Sequence, residues 1–390
     1  MVRINRKRVT GMVLGLGLTA LLLFGAFYVA GEFNTAYADN QAENQSSAGE
    51  KVPLSLTLDE ALQMAQEHNY ALKVAEQAKK KAYIQAEQVD SISRKLENAT
   101  ITDSNTQLAK YTKEKIMDSA KVIADKAYEV SKEQVKLLVS QKYYAALQAR
   151  DLISVNEAAL ERSQKQLDNA NAAFNVGTIA KTDVLNAEVG LAQAKTNLVA
   201  AKNEYQLAII NLNREIGLDL NTALNLNASV SYQPMEEIVL DQVIDGAMKT
   251  RLDIAKGSTT VENARLQYQA LLDYIPGTYE ARLAKMEVND AELSLEDTKN
   301  QVISDLTKAY LNIIAAQDAI NFLTVGEEQA RESLRLANMR YEVGMATSLE
   351  ILDASASLAD IEAKRIKALY NFSLAKLSFE TAKLAPLTGM

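Results

Sequence analysis

The sequence predicts an all-α protein of long antiparallel coiled-coil hairpins arranged in two tandem repeats, with little or no β-structure. Three observations carry this prediction. The 390 residues include only 4 Pro and 15 Gly, and the rest are mostly residues that favour helices. Apolar side chains recur in alternating steps of three and four, as in Leu191, Ala194, Leu198 and Ala201. One long unit occurs twice.

The N-terminus has the organisation of an export signal. Four basic residues within residues 3–8 precede an apolar run over 12–31, and a small-x-small motif ends at Ala38. This order predicts a secretory signal cleaved after Ala38. The apolar run is also long enough to span a bilayer, so a retained membrane anchor is the alternative, and membrane contact would then go through this segment. In both cases we expect the body of the protein beyond the cytoplasmic membrane, in the outer membrane or periplasm if the cell has two membranes.

The repeat is visible when the sequence is aligned with itself. A shift of 167 residues pairs Phe174 with Tyr341 and Gly177 with Gly344, and a shift of 182 pairs the segments that begin at Leu56 and Ile238. The resulting organisation has five parts. These are a signal or anchor over 1–38, a disordered polar spacer over 39–53, a first helical repeat over 54–219, a linker over 220–237 and a second helical repeat over 238–390.

Helix lengths follow from the distribution of helix breakers. Residues 104–173 contain neither Pro nor Gly, so they predict one helix on the order of 100 Å long at about 1.5 Å per residue. A second helix is expected from Leu56 onwards, in LTLDEALQMAQEH. Weak alternation over 222–234 allows one short strand in the linker, and YIPGTYE over 274–280 predicts a kink or reversal.

Each repeat contains a Val-Gly segment that predicts a hairpin tip. These are FNVGTIAKTDVLNA from Phe174 and YEVGMATSLEILDA from Tyr341. Their glycines can adopt positive φ and end the incoming helix. In the second segment Thr347 precedes Glu350 by three residues, which is the spacing of a capping box.

Acidic residues follow both tips. Asp183 stands in the first repeat, and Glu350 and Asp353 share one helix face in the second. In a symmetric oligomer such a pair would form a ring of like charges that attracts cations. The alternative role of these carboxylates is to stabilise helix N-termini. One carboxylate can have both roles.

The residue content gives no support for an enzyme. His68 is the only histidine and there is no cysteine, and the sequence has neither a phosphate-binding loop nor the spacing of a metal site. We therefore expect no catalytic residue, no cofactor and no bound metal. The net charge of -8 also argues against a nucleic-acid partner, because phosphate binding needs a basic surface.

The doubled Val-Gly motif, the LTLDEAL opening and the segments KYYAAL and KAYLNI together resemble the TolC family of outer-membrane efflux proteins. The resemblance spans residues 56–384. It implies a homotrimer whose helices form a hollow α-barrel, working as a passive efflux conduit with a periplasmic adaptor and an inner-membrane pump. It also implies an adaptor-docking tip and a gated entrance. The tip residues would be Val176, Gly177, Thr178, Val343, Gly344 and Met345, and the entrance residues Asp183, Glu350 and Asp353.

The sequence departs from the family in two places. The family often has an Arg two residues after the second Gly, where Ala346 stands, so we expect no arginine latch at that position. The family also inserts membrane-crossing strands between paired helices, whereas residues 88–115 favour helix and 271–290 are too short for two such strands. A non-conducting structural or adaptor coiled-coil protein of the cell envelope is therefore the alternative function.

Overall fold

The computed structural model describes residues 53–97, 104–228, 230–235, 238–274 and 276–386. The predicted signal or anchor over 1–38 and most of the predicted spacer lie outside the described residues. Within them, eight helices and two short strands follow one another along the chain. Their bounds are β1 Leu54–Leu56, α1 Leu58–His68, α2 Tyr70–Glu97, α3 Ser104–Asn175, α4 Lys181–Ile216, β2 Leu224–Leu226, α5 Leu240–Thr250, α6 Leu252–Tyr274, α7 Tyr279–Glu342 and α8 Ser348–Ala382.

Two very long helices organise the fold. α3 has 72 residues and α7 has 64, so they are about 110 Å and 95 Å long at about 1.5 Å per residue. α3 packs against α2 along its first part and α4 along its last part, and α7 packs in the same way against α6 and α8. α3 also contacts α6 and α8, which joins the two halves. The predicted long helix over 104–173 is confirmed.

The two main apolar cores lie near the middle of the long helices. The first gathers Tyr143, Leu147, Leu212 and Ile216 with both strands, and the second is centred on α7 and includes Leu306 and Ile313. Towards the hairpin tips the buried side chains become fewer and smaller. Only two small clusters are found there among the described residues. Their buried members are Ala170, Val184 and Ala187 in one, and Ala330, Leu334, Ile351 and Leu358 in the other.

The described β-structure is one parallel pair of three-residue strands, with Leu54 opposite Leu224 and Leu56 opposite Leu226. β2 lies within the segment where one short strand was expected. β1 was not predicted, and the helix expected from Leu56 begins at Leu58 instead. Thr57 caps that helix, because its side chain accepts from the Glu60 N–H while the Glu60 carboxylate accepts from the Thr57 N–H at 2.8 Å.

A pair of equivalent residues interrupts the helices at the start of each half. Asn69 separates α1 from α2, Arg251 separates α5 from α6, and both have extended backbone. Asn69 Nδ2 donates to the carbonyl of Glu215 at 3.0 Å, and Arg251 Nη1 donates to the carbonyl of Ala382 at 3.1 Å. Each residue thus ties the opening of its half to the last turn of that half's final helix.

Residues 88–97 and 104–115 lie in α2 and α3, in agreement with the predicted helix there. At the expected turn over 274–280, α6 ends at Tyr274, Gly277 has a φ of 77° and α7 begins at Tyr279. In the part of the chain that the structure describes, none of the helices combines the length and apolar character needed to cross a membrane.

Candidate functional site

The first hairpin tip joins α3 to α4 in five residues. Gly177 has a φ of 79°, and its N–H donates to the Phe174 carbonyl at 2.9 Å. The Thr178 N–H donates to the Ala173 carbonyl at 3.0 Å. This pair of bonds is the Schellman motif, which occupies carbonyls that the end of a helix leaves without partners.

The second tip repeats this geometry between α7 and α8. Gly344 has a φ of 73°, its N–H donates to the Tyr341 carbonyl at 2.9 Å, and the Met345 N–H donates to the Arg340 carbonyl at 2.7 Å. Around both glycines a Cβ atom would meet nothing within 4 Å. Glycine is therefore needed at each tip for the backbone conformation and not for space.

The residues expected at the docking tip lie at these two apices. Val176, Val343 and Met345 have exposed fractions of 75%, 69% and 70%, and Thr178 is exposed beside Val176. An apolar side chain held on a fixed, exposed turn can be buried by a partner with little loss of backbone freedom. The geometry suits the docking of another protein.

The outgoing helices are capped differently. In the second tip the Glu350 N–H donates to Thr347 Oγ1 at 3.3 Å, and the Thr347 N–H donates to Glu350 Oε1 at 3.2 Å, so the predicted capping box is present. In the first tip the Ala180 N–H donates to Asp183 Oδ2 at 3.3 Å. Ala180 has no side-chain oxygen to complete the exchange.

The structure brings Asp183 to the second tip. Ser348, which is 2% exposed, donates its hydroxyl to the Asp183 carbonyl at 3.2 Å. The Tyr341 hydroxyl is buried without a hydrogen-bond partner among the described residues. Burial raises the pKa of Tyr341, and the Asp183 charge raises the same pKa further. Sequence reasoning missed Tyr341 and Ser348, since their role depends on the packing of one tip against the other.

Glu350 and Asp353 lie in the first two turns of α8, and both are exposed. Glu350 takes part in the capping box and also lies 3.4 Å from Arg340, measured from Oε2 to Nη2. Arg340 Nη2 donates in addition to the Met345 carbonyl at 3.1 Å. The sequence has Ala346 where the family often has an arginine, and Arg340 instead reaches Glu350 from the last turn of α7. A basic residue in a final helical turn is the signal that could have found it.

A cavity of about 310 Å³ lies between the two hairpins below the tips. α3, α4, α7 and α8 all contribute to its wall. The Leu352 side chain of α8 packs against Gly190 of α4, where a Cβ would lie 2.5 Å from Leu352 Cδ1. The polar wall comes mainly from α3 and includes Arg162 and Gln166. Sequence patterns gave no sign of this cavity.

Across the described ranges, no cluster of three or more His, Cys, Asp or Glu side chains is arranged to hold a metal ion. The carboxylates of Asp183 and Glu350 instead accept from backbone N–H groups, and Glu350 also pairs with Arg340. This arrangement exposes apolar side chains at the apices and negative charge beside them.

The chain is similar to outer membrane efflux proteins. The family model described as outer membrane efflux protein matches residues 115–218 and 274–382, more than half of the chain. Outer membrane protein TolC of Escherichia coli K12 is 24% identical over 334 residues, which cover 72% of this chain and 68% of that protein.

Solved structures share the architecture. The CmeC outer membrane channel of Campylobacter jejuni matches with a TM-score of 0.67 at 14% identity, over 84% of this chain and 85% of that one. The outer membrane protein VceC of Vibrio cholerae matches with a TM-score of 0.66 at 17% identity, over 84% and 95%. These likenesses confirm the predicted class of long, all-α hairpins.

Proposed function

Because the chain belongs to the outer membrane efflux protein family, as its motifs predicted, we propose that three copies form a passive helical conduit for export across the cell envelope. The expected location is the outer membrane or the adjoining envelope. A periplasmic adaptor and an inner-membrane pump would supply the docking partner and the energy. The proposed role is transport, without a catalytic step in this chain.

The paired hairpin tips are the observation that carries this proposal. Both end in the same Schellman turn and expose Val176, Val343 and Met345. A hydrogen-bonded turn is already ordered before it binds. It can therefore present these apolar side chains to an adaptor with little loss of conformational entropy on binding. We propose that the adaptor binds at Val176, Gly177, Thr178, Val343, Gly344 and Met345.

We further propose that the acids beside the tips line the entrance of the conduit. Asp183, Glu350 and Asp353 would each occur three times around a threefold axis, and such rings attract cations and exclude anions. Movement of α7 and α8 away from α3 and α4 would break the Ser348 bond to the Asp183 carbonyl. That bond would therefore be made in the closed state and lost on opening.

A second candidate function is a non-conducting coiled-coil protein of the envelope. It is favoured by the helical course of residues 88–97 and 104–115, which lie in α2 and α3. Such a protein would still use its tips for binding, but it would carry no flux.

Export by cells that lack the gene tests the proposal. Wild-type protein should restore efflux of a fluorescent pump substrate, and Gly344→Ala should restore less, because the altered tip docks the adaptor poorly. Gly246→Ala is the matched control, since Gly246 lies within α5 and a Cβ there meets nothing within 4 Å. Equal export by wild type and Gly344→Ala, at equal protein levels, would contradict docking at this tip.

Ion selectivity separates the two candidates. If a pore exists, Glu350→Gln combined with Asp353→Asn should reduce the preference for cations over anions in bilayer conductance measurements. Equal cation and anion conductance in both wild type and variant would contradict the proposed ring of acidic residues. Complete lack of conductance and of export would favour the coiled-coil protein.

A further inference from the structure

The cavity between the hairpins has an unusual polar wall. Gln166 is only 9% exposed and lines this cavity of about 310 Å³, yet its Nε2 atom is buried without a hydrogen-bond partner. Arg162 lines the same cavity, and its Nε and Nη2 atoms are also buried and lack hydrogen-bond partners. All three atoms are donors. Buried donors are nearly always paired in folded proteins, so the cavity has room and a requirement for an acceptor.

The surrounding charges favour an anionic acceptor. The nearest acid to Arg162 is Glu362, whose Oε2 lies 3.7 Å from Nη2, too far for a hydrogen bond. Glu362 is already shared with Arg331, and Glu327 accepts from both Arg331 and Arg365.

The network therefore holds three guanidinium groups and two carboxylates, which leaves one positive charge in excess. At the cavity wall the exposed side chains of Lys165 and Glu342 offset each other. Arg331 and Arg365 are 64% and 39% exposed, so solvent can satisfy their charge. The charge that concerns the cavity is that of Arg162, whose side chain is only 27% exposed.

We propose that this cavity binds a small oxyanion, a carboxylate or a phosphate. Two donors of the Arg162 guanidinium and the Gln166 amide would hold its oxygens, since charged forks bind such groups with directional bonds. The cavity is large enough for the anion with several waters, each of which takes about 30 Å³. Ser355 gives the α8 side of the cavity a hydroxyl.

The bound anion would connect the two hairpins. Arg162 and Gln166 belong to α3, whereas Leu334, Asn338 and Ser355 bring α7 and α8 to the same cavity. An anion held there stabilises the packing of the second hairpin on the first, below the Ser348 contact with Asp183. Its action as a clamp on the closed entrance rests on the proposed function, but the binding itself does not.

Calorimetric titration of the purified full-length chain tests the binding. Sodium phosphate and sodium acetate are the probes, and sodium chloride at equal ionic strength is the reference. We expect saturable binding with one site per chain for at least one oxyanion, together with a rise in melting temperature that chloride does not give. Binding of phosphate alone would assign the site to phosphate groups, and binding of both probes would assign it to oxyanions in general; either result supports the site.

Three variants locate the site. Arg162→Gln and Gln166→Leu should each weaken binding by about tenfold or more, because each removes a donor to a charged acceptor. Gln166→Glu keeps the side-chain size and should abolish binding by charge repulsion, so it remains informative if the apolar variant does not fold. Arg335→Gln is the matched control and should bind like wild type, since Arg335 is exposed and paired with Glu332.

Two outcomes would overturn the proposal. The first is no saturable heat and no thermal shift beyond that of chloride, which would mean that the cavity holds only water. The second is equal affinity in wild type and in the Arg162 and Gln166 variants, which would place the anion elsewhere. Because no export is measured, failure of the efflux assay and failure of anion binding are separate results.

Discussion

Asn69 and Arg251 stand at equivalent points of the two halves, where a short helix gives way to the next, but they hold that point differently. The Asn69 amide accepts from the Ala71 N–H at 2.9 Å and donates to a carbonyl across the core. Arg251 is fully buried, and its guanidinium pairs with Asp253 at 2.7 Å and Asp305 at 3.0 Å. The break between consecutive helices is therefore stabilised by a neutral amide in the first half and by a cluster of charged side chains in the second.

The hairpin tips differ in the same manner. Both have a glycine at positive φ and the same pair of turn bonds. Only the second has a complete capping box, at Thr347, and an arginine, Arg340, beside the Glu350 carboxylate. The basic residue of the first tip, Lys181, lies over the Phe174 ring instead. The backbone bonds therefore fix the shape of both turns, whereas the side chains around them determine charge and local stability. Substitutions at matched positions can separate these two contributions.

The largest difference is expected at the helix interruptions. Arg251→Met should lower the free energy of unfolding by about 3–5 kcal/mol, because it leaves Asp253 and Asp305 largely buried without their partner. Asn69→Ala should lower it by only about 1–3 kcal/mol, because it removes neutral hydrogen bonds. Urea unfolding followed by circular dichroism measures both. Equal losses in the two variants would mean that the ion cluster adds nothing to the hydrogen bonds.

The tip glycines should give equal effects. Gly177→Ala and Gly344→Ala each place a side chain at positive φ in open space, with a penalty of about 1–2 kcal/mol. Hydrogen exchange at the Thr178 and Met345 amides reports the local opening of each tip. Gly246→Ala, inside α5, should instead stabilise by about 0.5–1 kcal/mol. A penalty at only one tip would show that the two turns are not energetically equivalent.

Substitution of each N-cap residue by the one at the other tip should reverse the difference in stability between the first turns of α4 and α8. Thr347→Ala should destabilise the start of α8 by about 1 kcal/mol. Ala180→Thr should stabilise the start of α4 by a similar or smaller amount, since Asp183 is already placed to complete the capping box. Local hydrogen exchange in the first turns of α4 and α8 checks both. If the first tip gains nothing from Thr, its Asp183 carboxylate is already sufficient.

The smallest effect is expected at Arg340. Arg340→Met removes an ion pair between two exposed side chains, so the free energy of unfolding should fall by less than about 1 kcal/mol. The loss should shrink at high salt, because exposed charges are screened. Unfolding at low and high salt measures it, and Arg335→Met, which removes the exposed ion pair with Glu332 inside α7, gives the comparison for a pair away from the tip. A loss several times larger would assign the Met345 carbonyl contact a structural role.

The features that could be predicted from the sequence are those that depend on neighbouring residues. The long α3, both tip glycines and the Thr347 capping box were predictable because each depends on residues a few positions apart. The pairing of Leu54 with Leu224 was not, because it joins two three-residue segments far apart in the sequence. Arg340 beside Glu350, Ser348 beside Asp183 and the anion-binding cavity depend on how helices pack, which residue spacing within one helix does not determine.

The proposed conduit requires three copies of the chain, so the mass of the assembled protein is the decisive measurement. Light scattering of the purified full-length chain, with any detergent contribution subtracted, should give three times the mass of one chain at concentrations where the protein is fully folded. A monomer, or a dimer formed by antiparallel pairing of the helices, would contradict the account, because the exposed faces would then be covered without enclosing a channel.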